Sequence, residues 1–359
     1  MNASQQLHLA GQSVWYDNVE RRLLNNGELA GMIARGEIRG VTSNPTIFMN
    51  AVTKSHDYDA GLIPLAKAGK TGEEIFWELA IEDIQAAADL LRPLYDESNK
   101  EDGYVSLEVN PYLANDTQAT LSEAKRLWKL VDRPNLMVKI PATVEGLPAI
   151  LSAIEAGINV NVTLIFSRER YWAVMEMYIS GLARRAEKGL PIDSIASVAS
   201  FFVSRVDTKV DGSLNGMVDR GGVRAEKAAQ FLGQAAIANA RMAYHDFKVF
   251  FGSERFARLR ELGGRVQRPL WASTGTKNPA YRDVVYIEQL VGKDTVNTVP
   301  PATLAAFLDH GVVCPDSLEE DLAGAYQSMA RLEALGISMA NVTAELEAEG
   351  VKSFASAWK

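Results

Sequence analysis

The sequence predicts an α/β protein: a (β/α)8 barrel of the TIM type with additional C-terminal helices. Three observations carry that prediction. Eight short apolar runs with strand character are each followed by a run with helical periodicity, the alternation expected of a parallel sheet covered by helices. No Gly-x-Gly-x-x-Gly follows the first strand and no Walker-type loop occurs, which disfavours the alternative of a doubly wound open sheet. Polar residues recur at the ends of the strand-like runs, where a closed barrel gathers its working side chains.

In chain order, Val14-Trp15-Tyr16-Asp17 reads as the first strand. Residues 20–35 read as an amphipathic helix with Leu23, Leu24 and Met32 on its apolar side, ending at Gly36. A second strand over 38–43 is stopped by Asn44-Pro45. The connection after it carries a helix over 71–91, opened by a Thr71-x-x-Glu74 capping box. Strands follow over 105–109, 136–140, 158–166, 195–203, 269–273 and 295–299. The helices between and after them fall at 116–131, 147–156, 168–188 (capped by Ser167), 278–291 and 302–310. After the sixth strand the sequence reads as a loop containing Gly221-Gly222, then helical segments over 224–262. Residues 316–355 read as helical and lie outside the repeat, so 1–359 is taken as one domain with a C-terminal extension over 316–359.

The 359 residues exceed the roughly 250 typical of such a barrel and leave room for insertions. An apolar content of 47% and a charged content of 23% are those of a globular chain. The net charge of −8 argues against nucleic acid or an anionic membrane as partner. An anionic small molecule would need a local basic pocket. The single cysteine, Cys314, excludes an internal disulfide framework and fits a reducing compartment. Residues 1–12 show neither the basic nor the apolar region of a signal peptide, and no apolar run reaches membrane-span length. The expectation is a soluble, cytoplasmic protein. His8, His56, His245 and His310 are scattered and none lies on a strand end, so no metal site is expected.

The fourth strand, Leu136-Met137-Val138-Lys139-Ile140-Pro141, holds one lysine in an apolar run. Alternation puts Met137, Lys139 and Pro141 on one face and Val138 and Ile140 on the other. Such a lysine is either a solvated edge residue or a paired, working one. Other strand ends supply Asp17, Ser43, Asn44, Glu108, Asn110, Thr143, Asn161, Thr163, Ser200, Arg205, Ser273, Thr274 and Lys277. Each has a local explanation: Asp17-Asn18 can cap a helix, Asn44-Pro45 can make a turn. Their joint arrival at strand ends is harder to explain locally. The set suits Schiff-base chemistry, in which an amine attacks a ketone, water is lost, and the protonated imine acts as electron sink for C–C cleavage or formation. That scheme needs the amine, an acid/base for the substrate oxygens and a second carboxylate able to hold water. It also needs a neutral amine, whereas an ordinary lysine, with a pKa of about 10.4, is almost wholly charged at neutral pH.

The same stretches carry a family resemblance. Gly40-Val41-Thr42-Ser43-Asn44-Pro45-Thr46-Ile47-Phe48 resembles the second-strand signature of the transaldolases. Val105-Ser106-Leu107-Glu108-Val109, Met137-Val138-Lys139-Ile140-Pro141-Ala142-Thr143, Asn159-Val160-Asn161-Val162-Thr163-Leu164-Ile165-Phe166-Ser167 and Ala199-Ser200-Phe201-Phe202-Val203-Ser204-Arg205 match further blocks in the family's order. Trp271-Ala272-Ser273-Thr274-Gly275-Thr276-Lys277-Asn278-Pro279 is similar to the seventh-strand block of its longer bacterial branch. The resemblance runs from Trp15 to the C-terminal helices.

It implies a cofactor-free enzyme of the pentose phosphate pathway that moves a dihydroxyacetone unit from sedoheptulose 7-phosphate to glyceraldehyde 3-phosphate, giving erythrose 4-phosphate and fructose 6-phosphate. By the same resemblance Lys139 is the Schiff-base lysine and Asp17 the acid/base for the C–C bond. Glu108 and Thr163 hold the water of imine formation and hydrolysis. Asn44 and Asn161 bind hydroxyls of the dihydroxyacetone unit, with Ser200, Phe202 and Ser273 lining it. Arg205 binds the phosphate, with Lys277 standing where shorter members place an arginine. Asn110 and Ser204 also depart from the family's commoner residues. The runner-up is an aldolase of the same superfamily that releases free dihydroxyacetone; those relatives carry tyrosine where Phe202 stands. The sequence leaves open a monomer or a homodimer.

Overall fold

The computed structural model describes residues 1–358; Lys359, the last residue of the expected extension, lies outside them. Eight parallel strands close in sequence order, β8 pairing back onto β1: β1 Gln12–Tyr16, β2 Gly40–Val41, β3 Tyr104–Glu108, β4 Leu136–Pro141, β5 Val160–Ile165, β6 Ser197–Phe202, β7 Arg268–Ala272 and β8 Thr295–Val299. Every strand residue is buried, as in a sheet filled on one face and covered by helices on the other. The doubly wound alternative is excluded.

The helices are α1 Ala3–Leu9, α2 Arg21–Asn25, α3 Glu28–Ala34, α4 Pro45–Thr53, α5 Asp59–Lys67, α6 Gly72–Glu97, α7 Thr117–Val131, α8 Gly146–Glu155, α9 Arg168–Glu187, α10 Ser204–Val218, α11 Val223–Ala229, α12 Ala235–Phe251, α13 Glu254–Glu261, α14 Val285–Glu288, α15 Pro301–His310, α16 Leu322–Ala334 and α17 Met339–Ala357. The Thr71/Glu74 capping box opens α6, and the Asp116 and Ser167 side chains accept from backbone amides at the starts of α7 and α9.

Four expectations need correction. The helix over 20–35 is two, broken where Gly27 takes φ +80 between α2 and α3. The second strand pairs only over Gly40–Val41. Gly40 is required there because a Cβ would come within 2.6 Å of the buried Trp15 ring. The helix over 278–291 shrinks to α14, since Asn278 accepts from the Ala280 amide and turns the chain after Pro279. The loop expected after β6 shrinks to the short turn around Gly221-Gly222, because residues 204–218 before it form α10. The Asp, Gly, Ser and Asn content of α10 reads as irregular, yet Val206, Val210, Leu214 and Met217 form a buried helical stripe. Two of its polar residues work inward: Asp207 accepts from the Ala236 amide at 2.7 Å and Asp211 from the Gly233 amide at 3.0 Å, fixing the start of α12.

The two barrel ends differ. At the N-terminal ends of the strands Asp102 is fully buried, bonded by Ser13, Trp15, Arg39 and Arg268. Burial alone would raise its pKa, but Arg268 and Arg39 hold it below the usual carboxylate range. That end is a closed polar plug. No helix among the described residues is long and apolar enough to cross a membrane.

Candidate active site

At the C-terminal ends the sheet register does the first part of the positioning. Glu108 on β3 lies opposite Lys139 on β4, and Lys139 lies opposite Asn161 on β5. Three polar side chains therefore stand at one level on three adjacent strands. Lys139 is 5% exposed and Glu108 3% exposed, and the lysine Nζ sits 3.5 Å from Glu108 Oε2. The Nζ also donates to the Ser43 carbonyl at 3.1 Å, beyond the end of β2. Lys139 is thus not a solvated edge residue but a buried, paired one. Burial pushes the Glu108 carboxyl up to about 7; Lys139 pulls it down and Asp17 pushes it further up. A carboxyl titrating there can both take and give a proton near neutral pH.

The rest of the set arrives from other strands. Asp17 follows β1, held by its own amide donating to the Val299 carbonyl at 2.8 Å, and its Oδ1 accepts from the Thr42 hydroxyl at 2.7 Å. Asn161 is pinned from both sides: its amide donates to Ser106 Oγ at 3.0 Å and its Oδ1 accepts from Ser200 Oγ at 2.7 Å. Thr163 Oγ1 and both Glu108 carboxylate oxygens are buried without a hydrogen-bond partner among the described residues. Arg205, one residue into α10, lays its guanidinium 5.2 Å from the Phe202 ring centroid, and Phe202 packs on Phe166 at 5.0 Å. Burial lowers the Arg205 pKa, with Glu349 and Asp17 opposing, and no carboxylate pairs with it among the described residues. It is a cation held near Asp17 and free to meet an anion.

Other candidates are committed locally. Asn44 caps α4, its Oδ1 accepting from the Ile47 amide at 3.0 Å, which leaves its amide nitrogen for other contacts. Thr143 bonds the Ala114 carbonyl and the Gly146 amide, Asn110 caps the 3-10 turn Pro111–Leu113, and Thr274 bonds Asn297. Ser273 takes φ +55 just past β7, and its hydroxyl meets that of Ser204 at 2.9 Å. Lys277 is exposed and lines a cavity of about 220 Å³ shared with Ser204, Asp207, Asp211 and Tyr281. Of the histidines, His56 and His310 are exposed and His8 and His245 half-buried, each on or beside a helix.

Residues 14–359 match the family described as Transaldolase/Fructose-6-phosphate aldolase. The chain is 48% identical over 355 residues to a transaldolase of Thermobifida fusca, covering 99% of this chain and 95% of that one. It is 49% identical over 350 residues to a transaldolase of Saccharopolyspora erythraea, covering 98% and 93%. Against transaldolase 1 of Streptomyces coelicolor it is 48% identical over 357 residues, covering 99% and 92%. The chain belongs to the transaldolase/fructose-6-phosphate aldolase family. The resemblance read from the strand-end blocks holds over nearly the whole chain.

Against that family frame, several residues that sequence reasoning passed over hold the site. Ser106 precedes Glu108 by two and so shares its face, a signal that alternation offers. Thr42 and Thr298 bond each other beside Asp17. Phe354 of α17 lies 5.9 Å, ring centroid to nitrogen, from Lys139 Nζ. Nothing in the local sequence ties a C-terminal helix residue to a strand end.

Proposed function

We propose that this protein is a transaldolase, transferring a dihydroxyacetone unit from sedoheptulose 7-phosphate to glyceraldehyde 3-phosphate through a Schiff base on Lys139. The observation that carries this reading is the buried Lys139 amine 3.5 Å from a carboxyl whose pKa stands at about 7. Attack of the amine on the donor ketone, loss of water and C–C cleavage need a proton carrier beside the nitrogen, and Glu108 is one. Glu108 and Thr163, with buried unpaired oxygens, hold the water that imine formation releases and hydrolysis consumes. Asp17 takes the proton of the substrate hydroxyl as the C–C bond breaks, oriented by Thr42. Asn44, Asn161, Ser200 and Ser273 serve the donor hydroxyls. Arg205, braced on Phe202, takes the phosphate. In this reading residues 1–359 act as one cytoplasmic domain, alone or as a homodimer, with sugar phosphates as its partners and Lys277 as a second, peripheral cation.

The experiment is borohydride reduction in the presence of fructose 6-phosphate, followed by peptide mass mapping. An adduct on Lys139 supports the reading; no adduct, or one elsewhere, overturns it. Fast triose release from fructose 6-phosphate without erythrose 4-phosphate would favour the aldolase branch of the family instead. Phe202 weighs against that branch, since a phenyl ring cannot hold a water or relay a proton. Asp17→Asn keeps the acceptor oxygen that Thr42 bonds. It is expected to form the trapped adduct slowly while steady-state turnover falls by about 10²-fold. Full turnover in that variant removes Asp17 from its role.

A further inference from the structure

Helix α17 crosses the barrel mouth. It packs on α4 after β2, on the 3-10 turn after β3, on β5 and on α10 after β6, all at the ends where the strands deliver the site. The fit is close. A Cβ at Gly350 would come within 2.8 Å of the Leu164 Cδ2, so a larger residue there would have to push the leucine side chain aside. Leu164 itself takes φ +59 in the irregular β5 register between Val162 and Ile165. One turn further on, Phe354 is 4% exposed and faces the Lys139 nitrogen. Trp358 anchors the far end, 4.4 Å from the Phe76 ring and 5.1 Å from that of Trp77. On the outer side Lys209 pairs with Glu345 and Glu349, at 2.8 and 2.6 Å, and Arg170 with Glu347 at 3.4 Å.

We propose that Phe354 shields the reacting nitrogen from bulk water and so decides between transfer and hydrolytic release; this rests on the transaldolase reading above. Cleavage of the donor leaves an enamine of dihydroxyacetone on Lys139. In transfer, its nucleophilic carbon bonds the acceptor aldehyde carbon and the aldehyde oxygen takes a proton. In release, that carbon takes a proton, water adds to the resulting C=N carbon, and the C–N bond breaks. One water is consumed: its oxygen becomes the ketone oxygen, one hydrogen ends on carbon and one on the returning amine. Either branch needs only the single water formed with the first imine, so the two part at the enamine carbon, which bonds the acceptor in transfer and takes a proton in release. Bulk water is a proton source for that carbon, so an apolar ring beside the nitrogen that keeps bulk water off the enamine favours transfer without blocking the cycle. Its aromatic face also tolerates the positive charge of the protonated imine, at a distance within the roughly 6 Å reach of a cation–π contact.

The test compares wild type, Phe354→Ala and Phe354→Leu for dihydroxyacetone released from fructose 6-phosphate, against transfer to erythrose 4-phosphate in the same mixture. The release-to-transfer ratio is expected to rise about tenfold in Phe354→Ala, with the smaller rise in Phe354→Leu, which keeps most of the apolar volume. A role in helix docking alone would lower both rates together and leave the ratio fixed. If Phe354→Ala does not fold, Phe354→Leu carries the comparison, and a ratio equal to wild type in it overturns the proposal. A wild type that gives no Lys139 adduct overturns the underlying reading as well. A wild-type adduct with an unmoved ratio in the variants overturns the shielding role alone.

Discussion

Lys139→Met is expected to remove turnover by a factor on the order of 10⁴ or more and to abolish the borohydride adduct, while the chain still folds at neutral pH. Methionine keeps the length of the lysine stem in a site where the residue is 5% exposed, so packing survives. What is lost is the nitrogen that forms the covalent intermediate, for which no other group in the site substitutes. Folding of this variant depends on Glu108. Lys139 is the cation that pulls the Glu108 pKa down against burial; without it the carboxyl moves further above 7 and stands neutral at pH 7. A neutral buried acid costs far less than a buried anion. The variant should therefore show a native circular-dichroism spectrum at pH 6 and 7 and lose stability relative to wild type as the pH is raised to 9. Steady-state turnover above about 1% of wild type would separate Lys139 from the covalent chemistry.

The contrast between what the sequence conveyed and what it hid follows from the range of the forces involved. Strand identity is a local property, set by short apolar runs and alternation, and all eight strands were legible with ends off by a residue or two. So were the helices whose ends carry a cap, such as those opened by Thr71, Asp116 and Ser167. Composition misled where polar residues work inside the fold. Asp207 and Asp211 look like loop residues, yet they hold the start of α12 from within α10. Within the site, Lys139 and Glu108 were legible as strand-end polar residues. Their 3.5 Å approach was not, because it depends on the register between β3 and β4. The cavity that Lys277 lines with Asp207, Asp211 and Tyr281 depends on how the chain turns after β7, which a seventh-strand motif does not state. Phe354 depends on how a helix outside the repeat lies across the mouth, a tertiary choice with no local pattern behind it.

Glu108→Gln is expected to cut turnover by about 10³-fold, and, less obviously, to change how stability depends on pH. The folded carboxyl titrates at about 7, raised from 4.5 mainly by burial. In the unfolded chain it loses its proton near 4.5, so across the window from 4.5 to 7 the folded state keeps a proton that the unfolded state has released. Stability from this group is present below the unfolded pKa and is lost as the pH rises through the folded one, and it stays lost above about 7. The full change is at most about 3 kcal/mol. Glutamine has no proton to lose and keeps nearly the same side-chain volume. The variant should therefore gain stability relative to wild type between pH 4.5 and pH 8, approaching that amount. The two groups that shift Glu108 besides burial, Lys139 and Asp17, are present in both proteins, so the comparison isolates the one carboxyl. Urea denaturation of both proteins at the two pH values measures it. Stability differences that are the same at both pH values would mean that Glu108 titrates as an ordinary surface acid. The neutral-pH titration on which its proton-carrying role rests would then be absent.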